Sequence, residues 1–149
     1  MDMRVFLAYV VKLEAEAGAA YLELVEVMAA QGNADAVAFF REMAGFCHLH
    51  WQTAMKRAGF DDTTDIPEII ASAPASGTEV PDLNDAGSPF DLDGATALAL
   101  AAERRGVAFY SAVARTTINP QTGRLADEFA EEERRHVLAL ERFLGRRPY

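Results

Sequence analysis

Twice in this chain a glutamate stands seven residues before a tyrosine, Glu14 to Tyr21 and Glu103 to Tyr110. In each half a histidine follows on the next apolar-periodic stretch, His50 and then His136. Glutamate oxygens and imidazole nitrogens are ligands that suit iron or manganese. A duplicated pattern of this kind points toward a metal site between helices, so the segments that carry it must bring the two halves together.

Four segments have helical periodicity. In the first, helix A at about 4–30, Val10, Leu13, Ala17, Tyr21, Leu24 and Met28 recur every three or four residues until Gly32 and Asn33 break the pattern. Helix B, about 34–58, carries Val37, Phe40, Met43, Cys47, His50 and Ala54 and runs to Gly59, a residue suited to a left-handed cap. Helix C, about 93–117, follows Asp91 and Asp93, either of which can cap it, and stops at Ile118-Asn119-Pro120. Helix D, about 122–144, carries Leu125, Phe129, Val137, Leu140 and Leu144.

Short turns make A with B, and C with D, antiparallel hairpins. The stretch between them, about 60–92, holds four of the six prolines and no lysine or arginine, and is expected to form no regular helix of any length. A bundle of two hairpins needs one crossover when B and C run parallel. The expectation is an all-α four-helix bundle of two antiparallel hairpins joined by a long crossover loop. At 149 residues, half of them hydrophobic, it forms a single domain. A flexible linker between two separate hairpins is the other reading of the same stretch.

Helical spacing turns the glutamates inward. Glu14 shares a face with Val10, Ala17 and Tyr21, Glu103 shares one with Leu100, Val107 and Tyr110, and Glu133 lies four residues after Phe129 and three before His136. An unpaired buried carboxylate costs several kcal/mol. Three of them would consume most of a total stability of about 5–15 kcal/mol, so cations or protons must compensate.

Composition removes other functions. A formal charge of -9 and a pI near 4.7 argue against nucleic acid, which needs clustered Lys and Arg. Arginines of the C-terminal third alternate with acids and form a solvated face. One cysteine, Cys47, makes no internal disulfide and leaves no cysteine pair for zinc or a rubredoxin-type iron centre. The apolar run Val5 to Val11 is too short for a bilayer and lacks a cleavage site after it. A soluble, cytoplasmic protein with no membrane partner is expected.

The run Glu103 to Tyr110 (ERRGVAFY), the run Phe129 to His136 (FAEEERRH) and the weaker counterpart Met43 to His50 (MAGFCHLH), taken with Glu14, resemble the ferritin-like di-iron carboxylate proteins. The chain is most similar to their rubrerythrin-like branch. That likeness covers all four helices and leaves the crossover unmatched. It implies Glu14, His50, Glu103, Glu133 and His136 as metal ligands around two irons, with a single iron, manganese or zinc as other occupants. It implies oxidation of ferrous iron or reduction of peroxide or oxygen, an external electron donor and a homodimer.

The chain departs from the family pattern at Cys47, which stands where the family has a glutamate: aligning His50 with His136 sets Cys47 against Glu133. A bridging carboxylate is missing. The open readings are a di-metal site with the gap filled by water or a neighbouring group, a single metal on Glu103, Glu133 and His136, and an empty relic. Cys47 itself reads as a thiolate ligand, a redox-active side chain or a small buried hydrophobe. Tyr21 and Tyr110 are placed to hydrogen-bond ligand carboxylates, and Glu132 to rotate inward as a substitute carboxylate. Glu16, Glu23, Glu26 and His48 are assigned to the surface, and Phe46 and Trp51 to packing or a subunit contact. A metal-free interaction module remains, in which inward glutamates pair with Arg104 or Arg134.

Overall fold

Helix starts in this chain are written in short polar side chains. Asp2 accepts a hydrogen bond from the Val5 amide at 2.8 Å, Asn33 from Ala36 at 3.0 Å and Asp91 from Gly94 at 2.7 Å, each satisfying an amide that lacks a partner within its own helix. The helices that follow are α1 (Met3–Ala30), α2 (Ala34–Ala58), α3 (Ile66–Ala71), α4 (Leu92–Thr116) and α5 (Pro120–Gly145). They belong to a computed structural model that describes residues 1–73 and 91–145. Gly59, at φ +70°, closes α2 in the left-handed conformation its position demands.

The start of α5 and the stretch after α2 differ from the sequence expectation by more than a residue. α5 begins at Pro120, two residues before the expected Thr122. Asn119 accepts from the Gln121 and Thr122 amides at 3.0 and 3.2 Å, while proline at the first helical position forfeits no bond. In the stretch expected to be without helix, Asp65 caps the six-residue α3 by accepting from Glu68 at 3.0 Å. Ile66, Ile69 and Ile70 pack this turn onto the core, an apolar spacing hidden among the prolines. The rest of the expected crossover, residues 74–90, lies outside the described residues.

Cross-helix contacts fix the directions. Met1 meets Thr117, Glu14 meets Tyr110 and Tyr21 meets Glu103, so α1 and α4 run antiparallel. Phe39 stacks on Phe143, Phe46 on His136, and His50 reaches Glu132, so α2 and α5 are antiparallel as well. With α1 and α2 joined by a tight turn, α2 and α4 are parallel, so the end of α2 and the start of α4 lie toward opposite ends of the bundle. The described residues form an all-α bundle of two hairpins.

The core is divided along the bundle axis. One apolar cluster gathers Phe6, Val10, Phe109, Val113, Leu125 and Phe129, and the other gathers Leu24, Met28, Phe40, Met43, Leu100 and Leu140. Between them lies a belt of buried Glu14, Glu103, Glu133 and His136. Among the described residues no helix is long and apolar enough to cross a membrane.

Candidate metal centre

All four long helices send a side chain into the belt: Glu14 from α1, His50 from α2, Glu103 from α4, and Glu133 with His136 from α5. The carboxylates are 4–6% exposed and His136 is 8% exposed, a burial that ionised groups tolerate only with compensation. Their atoms form two groups of three that share Glu133. Glu14, His50 and Glu133 make one, Glu103, Glu133 and His136 the other, and within each group the ligand atoms lie within 4.8 Å of one another. All five residues expected from the sequence therefore converge.

Tyrosines tie the halves together. Tyr21 of α1 donates to Glu103 Oε1 of α4 at 2.6 Å, and Tyr110 of α4 donates to Glu14 Oε1 of α1 at 3.2 Å, both buried. Burial first, and then the neighbouring glutamate, raises the pKa of each phenol, Glu103 acting on Tyr21 and Glu14 on Tyr110. Both hydroxyls stay protonated and keep donating. Each tyrosine thus fixes the carboxylate of the opposite hairpin; the second oxygen of Glu103 faces His136, and Oε1 of Glu14 faces both Tyr110 and His50.

The protonation pattern shows how crowded the belt is. Burial, and then Glu103, drives the Glu133 carboxyl well above the usual range. Burial acts in the same upward direction on Glu103, but the neighbouring Glu133 and His136 and the donation from Tyr21 outweigh it, and Glu103 is lowered. For His136, burial alone would lower the pKa; Glu103 and Glu133 reverse that and lift it to about 10. Burial likewise opposes the His50 proton, and Glu14 and Glu132 overcome it. In the absence of a cation, protons on Glu133 and the histidines balance the belt. A divalent ion would take their place, since ligation needs deprotonated carboxylates and neutral imidazoles.

Unpaired atoms mark where it would sit. Glu103 Oε2, His50 Nδ1 and His136 Nδ1 are buried with no hydrogen-bond partner, although Glu103 Oε2 is only 3.4 Å from His136 Nδ1 and Glu14 Oε1 only 3.4 Å from His50 Nδ1. Buried polar atoms are almost always satisfied, so three lone donor or acceptor atoms aimed into one space require an explanation. Oxygen and nitrogen donors in this arrangement could hold a metal ion.

Cys47 lies beside the belt but outside both groups. It is 2% exposed and packs beside Gly18 of α1, where an added Cβ would lie 3.5 Å from the Cys47 Cβ, an ordinary contact. Burial, followed by Glu14, Glu103 and Glu133, pushes its thiol far above the ordinary value, so it is a protonated, buried thiol rather than a thiolate.

Glu132 does not rotate inward. Its carboxylate touches His50 Nε2 from the solvent side, with the glutamate side chain 42% exposed, because one residue along α5 from Glu133 is about 100° around the helix. Arg104 pairs with Glu141 at 3.2 Å, and Arg134 bonds Glu131 and Ser111, all on the exposed face. Neither arginine reaches the inward glutamates, contrary to the pairing that a metal-free module would use.

A solved structure shares this architecture. The crystal structure of an uncharacterized conserved protein from Magnetospirillum magnetotacticum MS-1 matches with a TM-score of 0.79 and 29% identity, covering 100% of this chain and 97% of that one. No protein-family model and no curated protein matches the sequence.

Two residues of the site escaped the sequence reading. Phe46, assigned to packing or a subunit contact, stacks on the His136 ring at 5.3 Å between centroids. Gly106 makes room for the shared carboxylate, since a Cβ there would meet Glu133 Oε2 at 3.4 Å. Both had a legible signal: the internal repeat sets Phe46 opposite Glu132, and Gly106 falls one turn after Glu103 on the inward face. Glu23, Glu26 and His48 are exposed as expected, whereas Glu16 is half-buried.

Proposed function

We propose that this chain is a ferritin-like, rubrerythrin-related protein that binds two divalent cations, iron foremost, in the belt of its bundle and oxidises ferrous iron or reduces peroxide or oxygen there. One observation carries the reading: two buried three-donor groups, contributed by four helices and joined through Glu133. It fits the ligand rule of ferritin-like bundles, in which a glutamate from each of two helices joins a Glu-x-x-His from each of the other two, with Cys47 replacing one glutamate.

Glu14 and His50 would hold one ion, Glu103 and His136 the other, and Glu133 would serve both. Bound iron supplies one-electron chemistry toward the oxidant. The protein's own contribution is positional. Tyr21 and Tyr110 hold Glu103 and Glu14 in place, and Phe46 and Phe129 cover the two histidine rings and keep bulk water out. Gly106, which has no side chain, borders the Glu133 carboxylate. Because Cys47 is the single cysteine of these 149 residues, electrons for repeated turnover come from an external donor, and a cytoplasmic homodimer is the form in which the protein would act.

The test is ferrous iron titration of protein purified without oxygen, with bound metal counted by mass spectrometry and the near-ultraviolet spectrum followed on adding peroxide. About two irons per chain are expected, with a spectral change on oxidation. Glu133→Ala and His136→Ala should abolish binding, and the exposed Glu23→Ala should not. Equal retention in all three would end the assignment.

A further inference from the structure

The internal repeat gives corresponding places to Phe46 and Glu132, each four positions before the histidine of its own helix. Each reaches across to the histidine of the other hairpin: Phe46 of α2 lies on the ring of His136, and Glu132 of α5 grips Nε2 of His50. At the same register the repeat gives Cys47 and Glu133. The helix that carries Cys47 at the carboxylate position is therefore the one whose histidine meets a carboxylate from the other hairpin.

Simple counting makes the coincidence meaningful. Two divalent ions among Glu14, Glu103 and Glu133 leave one positive charge unbalanced in a low-dielectric interior, where such an imbalance is expensive. Glu132 would restore neutrality. It also orients the ring: its contact with Nε2 leaves Nδ1 as the nitrogen facing Glu14, where it lies 3.4 Å from Oε1 without a hydrogen bond. A carboxylate behind a ligating imidazole fixes its tautomer and strengthens it as a donor, typically changing metal affinity by about 10- to 100-fold.

We propose that Glu132 is a positioning residue that supplies, through the outer nitrogen of His50, the negative charge that Cys47 withholds from the centre. This rests on the two-ion reading above. It makes the His50 half dependent on a half-exposed side chain, while the His136 half, backed by the apolar Phe46, is independent of it.

The experiment is calorimetric titration with divalent cobalt of wild type, E132Q, E131Q and the double variant C47E/E132Q, with the thermal midpoint of each apo protein recorded. Glutamine keeps the size and the acceptor oxygen of Glu132 and removes only the charge. Glu131, which pairs with Arg134 on the surface, is the control. E132Q should weaken one of the two equivalents by about 10- to 100-fold and leave the other unchanged, with an apo midpoint that shows the variant still folds. E131Q should match wild type, and C47E/E132Q should recover the lost equivalent. A wild type that takes up fewer than two equivalents overturns the two-ion reading and this inference with it. A wild type that takes two while E132Q binds identically, or weakens both equivalents alike, overturns this inference alone. A folded C47E/E132Q that fails to recover binding does the same.

Discussion

Removing the hydroxyl of Tyr21 isolates the most telling contact in the belt. Tyr21→Phe keeps the ring, which packs near Phe40 at 6.2 Å between centroids, and deletes only the donor that lies 2.6 Å from Glu103 Oε1. A hydrogen bond to a charged group contributes about 1.5–3 kcal/mol, and more is at stake when the acceptor is left buried. Glu103 is 5% exposed, so water cannot substitute without rearrangement. Tyr110→Phe deletes the symmetry-related donor, but at 3.2 Å from Glu14 Oε1 that bond is longer and weaker, worth about 1 kcal/mol. For a domain of this size each kcal/mol moves the melting midpoint by about 2–4 °C. The metal-free Tyr21→Phe protein should therefore melt about 3–12 °C below wild type, and Tyr110→Phe about 2–4 °C below. The assay is thermal unfolding by circular dichroism in chelator at pH 7. Midpoints in the reverse order, or no loss in either variant, would show that the tyrosines are passive core residues and refute the cross-hairpin clamp.

Two further outcomes follow from the protonation pattern. The raised His136, its pKa lifted to about 10, contributes stability that is complete below its unfolded value near 6.5 and is lost as pH climbs toward 10; the raised Glu133 acts in the same direction. The apo midpoint should accordingly fall between pH 6.5 and 9.5 while metal affinity rises over the same range, and a flat apo profile would contradict the shared-proton picture. Cys47, buried with its thiol pushed up, should resist iodoacetamide at pH 8 in the native protein and react at once in denaturant, as followed by mass spectrometry. Rapid native alkylation would show that the belt opens to solvent.

Much of this molecule is local and was written in its residue order. A stripe recurring every three or four positions requires a helix with one apolar face, and a side chain on that stripe faces inward whatever the neighbours are, so the inward direction of Glu14, Glu103, Glu133 and His136 is legible in spacing, while their reading as metal ligands rests on the family resemblance. Caps and breaks behave likewise: Asp91 and Gly59 act through their own backbone neighbours. Even there α3 was hidden, because six residues among prolines carry too little periodicity to register and owe their helix to packing on α1.

Partnership across the bundle is another matter. Spacing says that Tyr21 and Glu103 both point to the core, but they are 82 positions apart, and only the antiparallel crossing of α1 and α4 brings the hydroxyl to the carboxylate. Glu132 differs from Glu133 by one step of about 100°; the position of His50 on the opposing helix turns that step into a contact instead of a surface charge. Arg104 and Arg134, free in sequence to neutralise the glutamates, are carried to the outer face by the same helical rotation. One-dimensional order determines which way a side chain leaves its own helix. The three-dimensional crossing alone decides which atom it meets, and in this protein that decision separates the residues that could hold a metal ion from those that hold them in place.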